Sequence, residues 1–238
     1  MKNNKDRILL IWDIDGTLLL GKGNSCEAMN IAFQQLFDIS NAFNGYNFSG
    51  RTDGFIVDTI FDKFSIEKTK KAEFLDAYCE ILEHLERKNK NNTSQPNIQK
   101  LLDIVTNLPN FHNILGTGNI ERAAFIKLST HGLDHYFKTG AFSKNEHTRA
   151  AVMVKGIAKY EQRTGIQFLN HNKYIIGDTP LDIDCGKTLQ IKTIAVATGI
   201  YSFDELSKTK PTHLLTDFIE VDEFLNLFDK KNLCKKTT

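Results

Sequence analysis

Ile8-Leu9-Leu10-Ile11-Trp12-Asp13-Ile14-Asp15-Gly16-Thr17 is the stretch on which the fold turns. Five apolar residues in a row, closed by an acidic turn, read as a strand buried on both faces, as in a parallel sheet of an α/β protein. Such sheets bind ligands at the carboxyl ends of their strands, where Asp13 and Asp15 stand. Side chains two residues apart on an extended chain project to the same side. Two carboxylates so placed repel each other, which implies a cation between them and leaves one free to act as acid or nucleophile. Gly16 permits a sharp turn, and Thr17 adds a hydroxyl beside the acids.

Beyond residue 97 the pattern alternates. A helix carrying Leu101, Leu102 and Val105 leads to a strand at His112–Leu115, which ends at Gly116-Thr117-Gly118-Asn119. Helices around Ala123–Leu128 and Ala151–Tyr160 precede a strand at Tyr174-Ile175-Ile176, which ends at Gly177-Asp178. A helix around Ile183–Leu189, a strand at Thr193–Val196 and a short strand at His213–Leu215 complete the series. This order implies a parallel sheet with right-handed crossovers.

Between the first strand and this series, residues 21–88 read as helices, with no strand. Their apolar faces are Ala28, Ala32, Phe33, Leu36 and Phe37; Ile56, Ile60, Phe61 and Phe64; and Leu75, Tyr78, Leu82 and Leu85. Asn24 or Ser25 can cap the first helix, and Thr52 or Asp53 the second. The polar run Glu86–Pro96 reads as an exposed connection. The expected organisation is a core of residues 1–20 and 96–238 with an α-helical cap, residues 21–95, inserted into it.

Asp178 supplies a third carboxylate at the same sheet edge. Three carboxylates there suit a hard cation such as Mg²⁺, which takes oxygen ligands and keeps waters and a substrate phosphate. Asp182, four residues on, either orients the site or accepts a hydrogen bond from the turn; for both Asp182 and Asp184 a helix-start or surface role stands beside a functional one. At Gly116–Asn119 a hydroxyl and backbone N–H groups opening a helix make a phosphate cradle. Glu121 and Arg122 stand where a third glycine would mark a dinucleotide site. Arg51, in Gly50-Arg51-Thr52-Asp53, is a basic residue at a tight turn beside a helix start, which suits an anionic substrate. The seven histidines show no ligand spacing.

Asp13–Thr17, Thr117 and Gly177–Asp182, in this order, resemble the motifs of the haloacid dehalogenase superfamily in its Asp-x-Asp phosphatase form. Gly50–Asp53 is similar to a cap segment of phosphoglycolate-phosphatase-like relatives, and the chain as a whole resembles the phosphoglycolate-phosphatase-like/β-phosphoglucomutase-like subgroup with a helical cap. The resemblance implies an α/β, Rossmann-like doubly wound parallel sheet core with an inserted α-helical cap. It implies a nucleophilic Asp13, a general acid/base Asp15, and Mg²⁺ held by Asp13, the Asp15 backbone carbonyl and Asp178, with Thr17 and Asp182 in support. Thr117, Gly118 and Asn119 would bind the phosphoryl group, and Arg51 would face it from the cap. The family's third motif supplies a cation, which here falls to Arg149, with Lys144 as the rival and Lys155 farther into the helix. The activity implied is Mg²⁺-dependent hydrolysis of a small phosphomonoester through an aspartyl-phosphate. A phosphosugar mutase and a non-catalytic phosphometabolite-binding module are the alternatives; dehalogenation is disfavoured because it needs neither Asp15 nor the metal.

Composition agrees with such a chain. Its 238 residues are 41% hydrophobic and 25% charged, with a formal net charge of +1. That balance speaks against nucleic acid or an acidic membrane as partner. Lys230-Lys231 and Lys235-Lys236 read as a solvated tail. The four scattered cysteines form neither a zinc motif nor a disulfide framework. The first apolar run is too short for a signal peptide or a membrane span. The expected setting is the cytoplasm, the expected partner a small phosphomonoester, and the expected state a monomer or homodimer.

Overall fold

The computed structural model of the protein describes residues 6–21, 24–88 and 92–228; the two lysine pairs of the tail and Cys234 lie outside them. Strand β1 (Ile8–Trp12) forms where the apolar run predicts it, with every residue buried. It is the third strand of a six-stranded parallel sheet ordered β5-β4-β1-β6-β7-β8. Its partners are β4 (Phe111–Gly116) and β6 (Lys173–Gly177), and beyond β6 lie β7 (Lys192–Val196) and β8 (His213–Leu215). A two-residue β5, Gly140–Ala141, forms the other edge and carries too little pattern to be read from sequence.

Alternate residues of β1 bury opposite faces of the sheet. Ile8, Leu10 and Trp12 pack with α4 (Ile98–Asn107), α5 (Glu121–Ser129) and α9 (Val221–Leu225). Leu9 and Ile11 pack with α6 (Arg149–Thr164) and α7 (Pro180–Leu189). A short α8, Phe203–Lys208, seals β7 through Leu206. The sheet is therefore doubly wound, and the chain winds outward from β1 toward both edges. That places the ends of β1, β4 and β6 side by side where strand order reverses, the position at which open α/β sheets bind ligands.

The helical block consists of α1 (Asn24–Phe37), α2 (Asp53–Lys63) and α3 (Lys71–Lys88). It has its own apolar cluster, centred on Phe33, whose ring lies 4.8–5.9 Å from those of Phe37, Phe43, Phe61, Phe64 and Phe74. Ala123 of α5 joins this cluster, so the block sits directly on the helix that follows β4.

The block is bracketed by a two-stranded antiparallel ribbon, β2 (Leu19–Gly21) with β3 (Asn92–Ser94); the sequence pattern marks no strand at Leu19–Gly21 and reads Asn92–Ser94 as part of an open connection. Asn92-Thr93-Ser94 has no apolar alternation, so pairing with Leu19–Gly21 and not sequence pattern makes it a strand. Cys26, Cys79 and Cys185 are free thiols. No helix among the described residues is long and apolar enough to cross a membrane.

Phe33→Ala should cost about 3–5 kcal/mol, since the cavity is ringed by rigid aromatics that cannot collapse onto it. Urea unfolding followed by fluorescence checks this.

Candidate active site

The turn after β1 is tightly tied. Asp13 N–H donates to the Ile176 carbonyl of β6 at 2.9 Å, and the Ile14 carbonyl accepts from the N–H groups of Thr17, Leu18 and Leu19. Gly16 is required twice over. Its φ is +82°, which L side chains rarely adopt, and a Cβ there would lie 2.3 Å from Asp178 Oδ2. The acidic turn of β1 thus closes directly onto the acid that follows β6.

Asp13, Asp178 and Asp182 are all buried, with carboxylate oxygens within 4.8 Å of one another. Thr17 Oγ1 donates to Asp178 Oδ1 at 3.2 Å. Asp182 performs both functions the sequence left open. Its Oδ2 accepts from Thr179 N–H and Oγ1 at 3.1 and 2.7 Å, capping α7, while its Oδ1 pairs with Arg149. Arg149 opens α6, which Thr148 caps, and its Nη2 lies 3.1 Å from Asp13 Oδ1.

The electrostatics follow from crowding. Burial pushes the Asp13 carboxyl up from 3.8 to about 7 against the pull of Arg149, with Asp182 and Asp15 adding to the rise. Burial and repulsion by Asp13 and Asp182 raise Asp178 well above the usual carboxylate range. Arg149, although buried, is held charged by Asp13 and Asp182. One guanidinium therefore serves three carboxylates. This all-oxygen donor set with surplus negative charge fits a hard divalent cation such as Mg²⁺.

Asp15 is kept out of this cluster. Its two carboxylate oxygens accept from the Lys127 ammonium at 2.8 and 2.7 Å, and Oδ2 accepts from Asn119 Nδ2 at 2.7 Å. Its packed surroundings raise the carboxyl, but the Lys127 charge and these hydrogen bonds prevail and hold it below its ordinary range. Lys127 was not identified from the sequence. The available signal was a lysine lying within the buried stripe Ala123, Ala124, Leu128 of α5.

The loop after β4 departs from the expected phosphate cradle. Asn119 N–H is taken by Thr117 Oγ1 at 3.2 Å, and Ile120 N–H by Asp53 Oδ2 at 2.8 Å. Asp53, from the helical block, thus occupies the anion position at the start of α5, and its own N–H donates to the Gly118 carbonyl at 2.8 Å. Burial pushes Asp53 up to about 6, although Lys127 and the Ile120 N–H pull the other way. The loops meet so closely that a Cβ on Gly118 would sit 2.3 Å from the Arg51 carbonyl. The Thr117 hydroxyl accepts from Asn119 N–H and Nδ2, which leaves its proton available for an incoming oxygen.

Asp13, Asp15, Thr117, Gly118, Asn119, Lys127 and Arg149 face Arg51 and Asp53 across a cavity of about 300 Å³. Met29, Phe43, Phe48 and Ile56 give it an apolar wall. The Arg51 guanidinium stacks on Phe55 at 4.9 Å. Lys144 lies instead in a separate cleft, Lys155 pairs with Glu146 at 2.5 Å, and Asp184 is a surface partner of Lys187. No histidine lines the cavity.

Comparison with known proteins places this geometry in context. A family model described as haloacid dehalogenase-like hydrolase matches residues 10–196. No curated protein matches the chain in sequence. A predicted phosphatase from Clostridium acetobutylicum is 18% identical with a TM-score of 0.67, covering 93% of this chain and 99% of that one. CbbY from Rhodobacter sphaeroides, solved in complex with phosphate, is 14% identical with a TM-score of 0.71, covering 90% and 96%. A predicted phosphoglycolate phosphatase from Haemophilus somnus is 17% identical with a TM-score of 0.61, covering 93% and 99%. At these identities the likeness is one of fold.

The raised Asp13 carboxyl makes a signed prediction about stability in EDTA. An acid whose folded pKa lies above its unfolded value favours folding when protonated, and that contribution fades as pH climbs from about 4 to about 7. Asp13→Asn should therefore unfold later than wild type at pH 8, by on the order of 2–4 kcal/mol, and match it at pH 4. Thermal melts across that range check both the size and the sign.

Proposed function

The chain belongs to the haloacid dehalogenase-like hydrolases, and we propose that it is a Mg²⁺-dependent phosphatase acting on a small phosphomonoester through an aspartyl-phosphate on Asp13. The observation that carries this reading is the separation of two carboxylates two residues apart. Asp13 is buried against Arg149, while Asp15 opens onto the same cavity against Lys127. One is set up as a nucleophile and the other as an acid/base, with the Thr117 hydroxyl beside them.

Asp13 attacks phosphorus; the Oδ–P bond forms as the bond from phosphorus to the ester oxygen breaks. Asp15 gives its proton to that departing oxygen. It then takes a proton from the water that attacks the aspartyl-phosphate, which frees phosphate and returns Asp13 to a carboxylate. Asp15 rests ionised, as its role as base requires. An incoming phosphate dianion raises its carboxyl by repulsion and so loads the proton needed for the first step. Arg149 keeps Asp13 oriented and its permanent charge opposes that of the phosphoryl oxygens, toward which Thr117 donates. Asp13, Asp178 and the Asp15 backbone carbonyl are the groups that would hold Mg²⁺, which supplies charge neutralisation between carboxylate and phosphate.

We read residues 21–95 as a cap over a core of 1–20 and 96–238. Three bonds beside the cavity support this: Asp53 N–H to the Gly118 carbonyl at 2.8 Å, Thr52 Oγ1 to the Glu146 carbonyl at 2.8 Å, and Gly54 N–H to Ser143 Oγ at 3.1 Å. A cap held there shields the intermediate from bulk water, and Arg51 with the apolar wall selects the leaving group. The free thiols accord with a cytoplasmic setting.

A panel of phosphomonoesters assayed with Mg²⁺ tests the reading. Phosphate release should vanish on chelation, return with Mg²⁺, and fall by roughly 10³-fold or more in Asp13→Asn. If wild type and variant are equally inactive across the panel, the phosphatase reading fails. An isomerised sugar phosphate without free phosphate would assign the mutase reaction instead.

A further inference from the structure

We infer that Lys127 is a positioning residue for this chemistry, holding the Asp15 carboxylate on the leaving-group side of the cavity. The inference rests on the phosphatase reading above. Lys127 belongs to none of the motifs that carry the family resemblance, yet its ammonium is fully engaged by polar groups that line the cavity. Its ammonium has three protons, and all three have acceptors: Asp15 Oδ1 at 2.8 Å, Asp15 Oδ2 at 2.7 Å and Asn119 Oδ1 at 2.7 Å. Asn119 closes the triangle by donating from Nδ2 to Asp15 Oδ2 at 2.7 Å and to Thr117 Oγ1 at 2.8 Å. The acid/base group and the phosphate-facing hydroxyl are therefore parts of one hydrogen-bonded chain.

The burial of the pair is lopsided. The Lys127 side chain is 3% exposed, whereas that of Asp15 is 55% exposed and faces the cavity. Burying an ammonium is costly unless it is paired and hydrogen-bonded. The stripe of α5 on which Lys127 lies is otherwise Ala123, Ala124 and Leu128, where an apolar residue would serve packing alone. What the ammonium adds is a fixed second anchor for a carboxylate that follows β1 and precedes a glycine. Asp13 has its own anchor in Arg149, so neighbouring acids are directed to different tasks by different cations. Proton transfer depends steeply on donor placement, so releasing Asp15 should slow those reactions in which the departing oxygen needs a proton.

The leaving group provides the test. Wild type, Lys127→Met and Lys127→Arg, each with Mg²⁺, are compared on 4-nitrophenyl phosphate, whose anion departs unaided, and on the fastest alkyl phosphate of the panel, whose oxygen must be protonated. Lys127→Met should lose at least about tenfold more kcat on the alkyl ester than on the aryl ester, with KM little changed. Lys127→Arg, which also offers a carboxylate two donors, should recover most of the alkyl activity. Should Lys127→Met fail to fold, as seen by circular dichroism, Asn119→Ala removes the other donor to Asp15 and carries the same comparison. Equal losses on both esters, or none on either, overturn the role of Lys127 while leaving the phosphatase reading intact. A wild type inactive on every ester overturns that reading and this inference together.

Discussion

Like charges brought together in a buried place are the constraint around which the rest of the molecule is arranged. Asp13, Asp178 and Asp182 crowd the carboxyl edge of the sheet with Arg149 as their single guanidinium. Removing the guanidinium would cost about 3–5 kcal/mol, because the carboxylates would be left buried without a cation. The sheet makes the cluster possible by setting the ends of β1 and β6 side by side, and Gly16 lets the turn close without a Cβ in the way of Asp178. A cluster that opposes folding is retained where binding relieves it, and a divalent cation with a phosphoryl group would relieve this one.

The second organising contact is the separation of Asp15 from that cluster. The Lys127 ammonium and the Asn119 amide hold its carboxylate in the cavity that the helical block also lines. There Asp53 meets the start of α5, and Arg51 leans over the same cavity. In the proposed reaction, chemistry and selectivity divide along the chain: strand ends of the sheet would hold the reacting groups, whereas residues 50–53 and the apolar wall line the rest of the cavity.

The sequence was most legible where pattern and local chemistry coincide. Ile8–Trp12 ahead of Asp-x-Asp, and Ile175-Ile176 ahead of Gly177-Asp178, each place a buried strand immediately before a carboxylate, and no distant contact is needed to read them. The family resemblance assigns the third-motif cation to Arg149 ahead of Lys144, and the structure sets Arg149 against Asp13. What stayed hidden depends on contacts remote in sequence. Lys127 reads as an ordinary helical lysine until α5 is docked against the β1 turn. Gly116–Asn119 reads as an open phosphate cradle because nothing local shows Asp53 reaching the adjoining Ile120 N–H across 67 positions. Asn92-Thr93-Ser94 becomes a strand only by pairing with Leu19–Gly21.

The central claim is that Asp13 carries the phosphoryl group between substrate and water. The most direct measurement is acid quench of the Mg²⁺-loaded protein during turnover of a phosphomonoester, followed by peptide mapping by mass spectrometry. The account predicts a phosphoryl adduct on Asp13 that forms and decays with turnover. Turnover with no adduct, or an adduct confined to another residue, would contradict it.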